Sequence, residues 1–273
     1  MRALPTLALA VFALVATPAW AVLQGATSRD PDGLRRSVVS IESSTGELCS
    51  GVIVGPDLVL TAAHCMTDRA AYRVTALSRA FKQQRFNVAA LAVHPTFVPG
   101  TTPRTQPGID LALLKLDRML GPDFLPLDPS QARRIDVGDG VTIAGFGVLS
   151  ERAKRTARTL RQTNLVSLGP IEVANRVLIV ADRNRLAETS GAGACRGDSG
   201  GPILAATQSG YLLYGITSWS SGPLRSRAPS ACGGLTAVTP IVEHLGWIAS
   251  NMRYLGAMNG AWTEAPMTSS SRR

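Results

Sequence analysis

Short apolar or alternating segments, separated by turn residues, make up most of the chain after residue 22. Most are bounded by Gly, Pro, Asp or Ser, and helical periodicity is missing from them. This pattern is typical of antiparallel β structure, as a sandwich or as barrels, and it predicts an all-β fold. The segments are Ser37–Glu42, Gly51–Leu60, Tyr72–Leu77, Arg85–Val93, Asp110–Leu116, Val141–Phe146, Arg161–Leu168, Arg176–Ala181, Pro202–Ala206 and Tyr211–Ser218.

The last part of the chain departs from the β pattern. Apolar residues recur at helical spacing directly after Pro240, which suits the first turn of a helix, so we expect a helix over 241–256. Residues 257–273 offer no periodic apolar face and are expected to form a flexible tail. The Pro-, Gly- and Asp-rich stretch from Asp117 to Ser130 is expected to join two halves, 22–122 and 123–240.

Residues 1–21 have the features of a secretory signal peptide. A short apolar run from Ala3 to Ala16 follows Arg2 and leads to the small-x-small pattern Ala19-Trp20-Ala21. The alternative is an uncleaved membrane anchor, which the short length of the run disfavours. We therefore expect a secreted or periplasmic protein that starts at Val22 and has no membrane segment after cleavage.

The chain is basic, with 28 Lys and Arg against 19 Asp and Glu. A dense run between Arg152 and Arg161 is a candidate surface for acidic partners; the alternative is a solvated loop in an arginine-rich chain. No aromatic residue interleaves this run, as stacking on bases requires, so no nucleic-acid partner is expected. The run consists of Arg152, Lys154, Arg155, Arg158 and Arg161.

Four cysteines form an even set in a chain that we expect to be exported. An oxidising compartment favours disulfides over metal ligation, and the spacings do not fit a zinc site. Three pairings are possible. Pairing in chain order closes two short loops, and a disulfide closing the first is expected to stabilise the fold by about 3 kcal/mol. The cysteines are Cys49, Cys65, Cys195 and Cys232.

Three motifs contain the residue types that peptide hydrolysis requires: a nucleophile, a base, a group that orients the base, and oxyanion donors. Ser199 lies in GDSGGP, whose glycines permit a tight turn with converging N–H groups. His64 follows an apolar strand in TAAHC, where it is suited to act as a general base. Asp110 opens the apolar segment DLALLKL, where a half-buried carboxylate needs a partner such as histidine. His94 and His244 are interpreted as structural.

In their order and separation, TAAHC, DLALLKL and GDSGGP resemble the motifs of the trypsin/chymotrypsin family of serine proteases. The resemblance runs from Val22 to the Trp247-Ile248 region. It implies two antiparallel six-stranded β-barrels and a C-terminal helix, with a catalytic triad of His64, Asp110 and Ser199 between the barrels.

The resemblance also assigns supporting roles to other residues. The N–H groups of Gly197 and Ser199 would form the oxyanion hole, and the N-terminal ammonium of Val22 would pair with Asp198. Substrate would add as a strand along Ser218-Trp219-Ser220. The disulfides would be Cys49–Cys65 and Cys195–Cys232.

Several positions depart from the family pattern. Gly193 stands where trypsin-like members have aspartate, so a preference for Arg or Lys is not expected. Ser220 replaces a glycine and should narrow the mouth of the pocket. No carboxylate cluster lies between Leu77 and Ala89, so neither a metal nor another cofactor is expected. Animal members usually have more than two disulfides, which favours a bacterial type.

The sequence is therefore interpreted as a monomeric, exported serine endopeptidase acting on proteins or peptides. One rival interpretation is a proteolytically silent homologue that binds partners through its basic surface, and the intact triad argues against it. Another is a structural or adhesive β-sandwich with coincidental motifs, which three ordered motifs disfavour.

Overall fold

The computed structural model describes residues 26–28, 33–66 and 70–258. Val22, the predicted signal peptide and residues 259–273 of the predicted tail lie outside this range. The described residues form two closed antiparallel six-stranded barrels and one C-terminal α-helix. This confirms the predicted all-β fold.

The first barrel has the strand order β2-β3-β4-β7-β6-β5 and closes where β5 pairs with β2. The apolar residues of β4 and β7 are almost completely buried; Val52 and Leu60, for example, face each other across β3 and β4 with no exposed surface. Their burial gives this half a dense core. The strands are β2 (Val38–Ser43), β3 (Leu48–Gly55), β4 (Leu58–Thr61), β5 (Tyr72–Leu77), β6 (Gln83–Val93) and β7 (Ala112–Leu116).

The second barrel has the order β9-β10-β13-β12-β11-β8 and closes where β8 pairs with β9. A short strand, β1 (Ala26–Thr27), adds to the outer side of β9. Irregularities in β10, β11 and β12 shift the register and bend the strands, as barrel closure requires. The strands are β8 (Gly140–Gly145), β9 (Arg161–Glu172), β10 (Arg176–Ala181), β11 (Pro202–Thr207), β12 (Gly210–Ser220) and β13 (Thr236–Pro240).

The chain ends its described part in α1 (Leu245–Gly256), which follows a 3₁₀ turn at Ile241–His244. Ile248 and Leu255, two turns apart, are both buried in the main hydrophobic core with residues of the first barrel. The helix therefore ties the end of the second half to the first barrel. No helix among the described residues has both the length and the apolar character needed to span a membrane.

Ser50 of β3 provides direct hydrogen bonds between the barrels. Its N–H donates to the carbonyl of Ser199 at 2.8 Å, and its Oγ donates to the carbonyl of Gly197 at 2.8 Å. The N–H of Phe146, just after β8, donates to the same Oγ at 2.9 Å. Because Ser50 has no exposed surface, these bonds are shielded from water. The loop around Ser199 is thus anchored to the first barrel.

Candidate active site

Three strand ends place the predicted triad where the two barrels meet. His64 lies in the 3₁₀ turn Ala63–Met66, directly after β4. Asp110 lies two residues before β7, and β7 pairs with β4, so both side chains come from neighbouring strands. Ser199 lies three residues before β11 in the second barrel.

Asp110 holds His64 through two hydrogen bonds. The backbone N–H of His64 donates to Oδ1 of Asp110 at 2.9 Å, and Nδ1 of His64 lies 2.8 Å from Oδ2. Asp110 is 1% exposed and the His64 side chain 13% exposed. Both carboxylate oxygens therefore orient one residue, and the Nδ1 contact leaves Nε2 on the other side of the ring.

Ser218 and Cys65 bring Ser199 to this pair. Ser218 Oγ donates to Asp110 Oδ2 at 2.5 Å, and Ser199 Oγ donates to the Ser218 carbonyl at 3.4 Å. The Sγ atom of Cys65 lies 3.8 Å from His64 Nε2 and 3.9 Å from the carbonyl oxygen of Ser199. The three predicted triad residues are therefore gathered around two shared neighbours. The hydrogen bond from Ser218 to Asp110 was not foreseen from the sequence, where Ser218 stood out only as part of a substrate strand.

Burial and charge act in opposite directions on the two titratable groups. Burial lowers the pKa of His64, but the charge and hydrogen bond of Asp110 outweigh it, so the pKa lies above 6.5. Burial raises the pKa of Asp110, but the charge of His64 and hydrogen bonds from His64 and Ser218 outweigh it and lower the pKa. Asp110 thus stays ionised, and His64 is a stronger base than an isolated imidazole.

The turn around Ser199 exposes two backbone donors. Gly197 adopts φ 93°, and a Cβ there would lie 2.9 Å from the Cα of Gly147, so both conformation and space require glycine. Among the described residues, neither the Gly197 N–H nor the Ser199 N–H donates a hydrogen bond. Both N–H groups can therefore donate hydrogen bonds to a negatively charged oxygen beside Ser199 Oγ.

Asp198 is buried between these two donors, with 3% of its surface exposed. Its Oδ1 accepts from the Gly147 N–H and its Oδ2 from the Cys195 N–H, both at 2.9 Å. Burial raises the pKa of Asp198 to about 6, although these bonds and the charge of Arg161 oppose the rise. The proposed partner, Val22, lies outside the described residues.

The basic run is not one continuous solvent-exposed patch. Arg161 is only 5% exposed, because it opens β9 and directs Nη1 to the carbonyls of Gly147 and Thr159, each at 3.1 Å. Arg158 pairs with Glu42. Arg152, Lys154 and Arg155 are exposed, and so is Arg158, whose charge is paired with that of Glu42. The expected surface for acidic partners is therefore smaller than the sequence suggested.

The predicted specificity pocket has an uncharged wall. A Cβ on Gly193 would lie 3.3 Å from the carbonyl oxygen of Gly234 and 3.6 Å from Oγ1 of Thr236. Thr236 has no exposed surface, pairs with Ser220 across β12 and β13, and accepts from the Ala194 N–H at 3.0 Å. Sequence reasoning missed Thr236, because only the strand register places it opposite Ser220.

The side chain of Glu188 points to the surface. Glu188 lies a few residues before Gly193 in the sequence and is the nearest carboxylate on that side. Its Oε2 pairs with Nη2 of Arg225 at 2.6 Å, and both side chains are more than half exposed. Glu188 therefore does not place its negative charge in the predicted pocket, where it could bind a basic side chain of the substrate.

The two disulfides implied by the resemblance are present, Cys49–Cys65 and Cys195–Cys232. The first includes Cys65, the residue next to His64, and the second includes Cys195, two residues after Gly193. Among the described residues, Cys49, His64 and Cys65 have potential metal-ligand atoms close together, all within 4.8 Å of one another. Because both sulfurs are in a disulfide, neither offers the thiolate that a metal ligand requires.

Comparisons with known proteins identify a matching family, similar sequences and a similar fold. Residues 25–244 match the trypsin family. The chain is 31% identical to human granzyme M over 233 residues, which is 78% of this chain and 83% of that protein. It is 29% identical to serine proteinase stubble of Drosophila melanogaster over 224 residues, 74% of this chain. The chain spans only 28% of the length of stubble.

A solved structure of a mutant of human heparin binding protein has a similar fold. Its TM-score is 0.64 and its identity 22%, with coverage of 88% of this chain and 99% of that one. These three relatives come from animals, so they do not support the expected bacterial type. Since the family match covers most of the chain and the expected barrels are present, this protein is a member of the trypsin family.

Proposed function

We propose that this protein is an exported serine endopeptidase that cleaves proteins or peptides through an acyl-enzyme. The observation that supports this best is the placement of His64, whose Nδ1 lies on a buried carboxylate while its Nε2 and the Ser199 carbonyl oxygen each lie within 4 Å of Cys65 Sγ. A histidine whose Nδ1 is held on a carboxylate can present Nε2 to a serine nucleophile, which supports the proposal.

In the proposed reaction, His64 Nε2 takes the hydroxyl proton of Ser199 while Oγ forms a bond to the substrate carbonyl carbon. The carbonyl π electrons move to oxygen, and the N–H groups of Gly197 and Ser199 stabilise the resulting anion. The C–N bond then breaks as His64 gives its proton to the leaving amine. Water, deprotonated by His64, attacks the acyl-enzyme and releases Ser199 and the second product.

The test of this function is hydrolysis of a diverse peptide library by the purified protein, with the His64→Ala variant as a matched control. We expect cleavage at internal peptide bonds by the unaltered protein and near-complete loss in the variant. The alternative, a proteolytically silent protein that binds partners through Arg152, Lys154 and Arg155, predicts equal, background hydrolysis by both.

Side-chain preference at the cleaved bond should favour small or medium uncharged residues. Gly193 places no charge in the pocket, and the Thr236 side chain occupies space opposite Ser220. A buried substrate guanidinium would lack a partner there. Peptides that differ only in this residue should be cleaved faster with Ala or Val than with Arg, by about 10²-fold or more in kcat/KM.

The variant Thr236→Gly tests whether Thr236 limits the size of the side chain that the pocket accepts, because it removes a buried side chain without adding charge. We expect its preference to move toward larger apolar residues, with rates normalised to the fraction of folded enzyme. A profile dominated by Arg or Lys in the unaltered protein would contradict the assignment of the pocket.

The proposed ammonium of Val22 should make stability depend on the first residue of the mature chain. With Val22 outside the described residues, burial raises the folded-state pKa of Asp198 from 3.8 to about 6. Without the Val22 ammonium, the stability that Asp198 contributes is fully present below its unfolded-state pKa and is lost as pH rises through its folded-state pKa of about 6. The loss is about 3 kcal/mol, since one pKa unit corresponds to about 1.4 kcal/mol.

Urea unfolding at pH 4 and pH 8 tests this pair. A protein that starts at Val22 should retain its stability at pH 8, whereas one with an added alanine before Val22 should lose about 3 kcal/mol. Asp198→Asn in the extended protein should remove the difference in pH dependence between the two starting residues. Identical pH profiles for the two starting residues would refute the pairing.

A further inference from the structure

The loop between β6 and β7 lies against the predicted substrate strand and contains its own network of hydrogen bonds. Gln106, which has no exposed surface, braces it from inside. Its Oε1 accepts from the N–H groups of Val98 and Gly108 at 3.0 and 2.8 Å. Its Nε2 donates to the Val98 carbonyl at 2.9 Å and to Thr101 Oγ1 at 2.6 Å. The positions of the loop's other side chains are thereby restricted.

Arg104 projects from this loop onto the substrate strand. Its guanidinium carbon lies 4.9 Å from the ring centroid of Trp219, and its Nη2 donates to the Ser220 carbonyl at 3.2 Å. These two contacts hold the guanidinium over Trp219 and Ser220 of the predicted substrate strand. Stacking on an aromatic ring orders an arginine without neutralising its charge.

The surroundings of Arg104 differ from those of several other exposed arginines. Arg79, Arg118, Arg196 and Arg225 each pair with a carboxylate within 4 Å. Among the described residues, no carboxylate forms such a pair with Arg104. An arginine has five N–H donors in a fork that matches a carboxylate, and the contact with Ser220 uses one.

We infer that Arg104 selects substrates with an acidic side chain among the second to fourth residues before the cleaved bond. The inference rests on the proposed function, since it requires substrate to add as a strand along Ser218–Ser220. Residues N-terminal to the pocket-binding side chain would then pass Trp219 and Ser220, where the guanidinium is held. A carboxylate there would gain charge-assisted hydrogen bonds that an amide of equal size would not.

The competing interpretation is that Arg104 is a steric cap. Its bond to the Ser220 carbonyl occupies a group that an added strand also needs. A cap would slow all substrates equally, whereas a recognition site discriminates by charge. Charge dependence therefore separates the two interpretations.

The experiment uses peptides with alanine at the cleaved residue and Asp, Asn or Lys in turn at each of the three preceding positions. We expect Asp to be preferred over Asn at one of them by about three- to tenfold in kcat/KM, with Lys least favoured. Arg104→Ala should remove this preference, and Arg104→Glu should reverse it toward Lys. In 0.5 M salt the preference should shrink, because an exposed charge pair is screened.

Arg79→Ala is the matched control, since it removes one exposed arginine in the β5–β6 turn, whose partner is Asp123. It should leave the Asp preference unchanged. An equal rise in rate for all peptides in Arg104→Ala, or no charge preference in an active unaltered enzyme, would overturn the inference alone. Failure to cleave any peptide, with no reaction of Ser199 toward a fluorophosphonate, would overturn the proposed function as well.

Discussion

Replacing Ser199 with alanine is expected to lower kcat by about 10⁶-fold while leaving the fold intact, because the nucleophilic oxygen is lost. The contact that Ser199 Oγ makes, to the Ser218 carbonyl at 3.4 Å, is weak. The bond that anchors the loop uses the backbone carbonyl of Ser199 and the Ser50 N–H, which alanine preserves. Steady-state hydrolysis measures the rate, and thermal unfolding measures the fold.

Ser209→Ala is the matched control, because this serine is exposed in the turn between β11 and β12. It should retain full activity. The double variant with Ser199→Ala and His64→Ala should be hardly slower than either single one, since the two residues act as a unit. Substantial hydrolysis by folded Ser199→Ala protein would contradict the assigned nucleophile.

Asp110→Asn is expected to lower kcat by about 10⁴-fold, because an amide no longer holds His64 in the required tautomer. The bond from Nδ1 to Oδ2 and the bond from Ser218 Oγ both depend on an acceptor at that oxygen. Loss of the Asp110 charge also removes the main cause that raises the pKa of His64, while burial, which lowers it, remains.

The pH dependence of the rate gives an independent check. Activity requires neutral His64, so it should rise with pH through a midpoint above 6.5 in the unaltered enzyme. The residual activity of Asp110→Asn should have its midpoint at lower pH. Asp128→Asn, at an exposed aspartate that caps a 3₁₀ turn, should change neither rate nor midpoint. A midpoint unchanged by Asp110→Asn would show that this carboxylate does not control the base.

Local patterns predicted the all-β class well, because alternating apolar residues report directly on strands. Local patterns predicted strand boundaries less well, because these depend on pairing between strands that are distant in the sequence. The segment Gly51–Leu60 is two strands, since Pro56 and Asp57 form a tight turn inside an apolar run. Strand β13 (Thr236–Pro240) was not predicted, because its five residues follow a glycine-rich loop and carry little pattern of their own.

The same limit applies to the site. The motifs around His64, Asp110 and Ser199 are local and could be found by inspection. The positions of Thr236 and Arg104 depend on strand register and loop packing, which a single sequence does not display. The sequence places Arg161 at the end of a basic run, but its hydrogen bond to the Gly147 carbonyl holds it inside the protein.

The most direct test of the proposed function is reaction of the folded protein with a fluorophosphonate, followed by mass spectrometry of its peptides. We expect one adduct per chain, on Ser199, that is absent in His64→Ala because the hydroxyl is no longer activated. A folded, unaltered protein that forms no adduct, or one labelled at another serine, would contradict it.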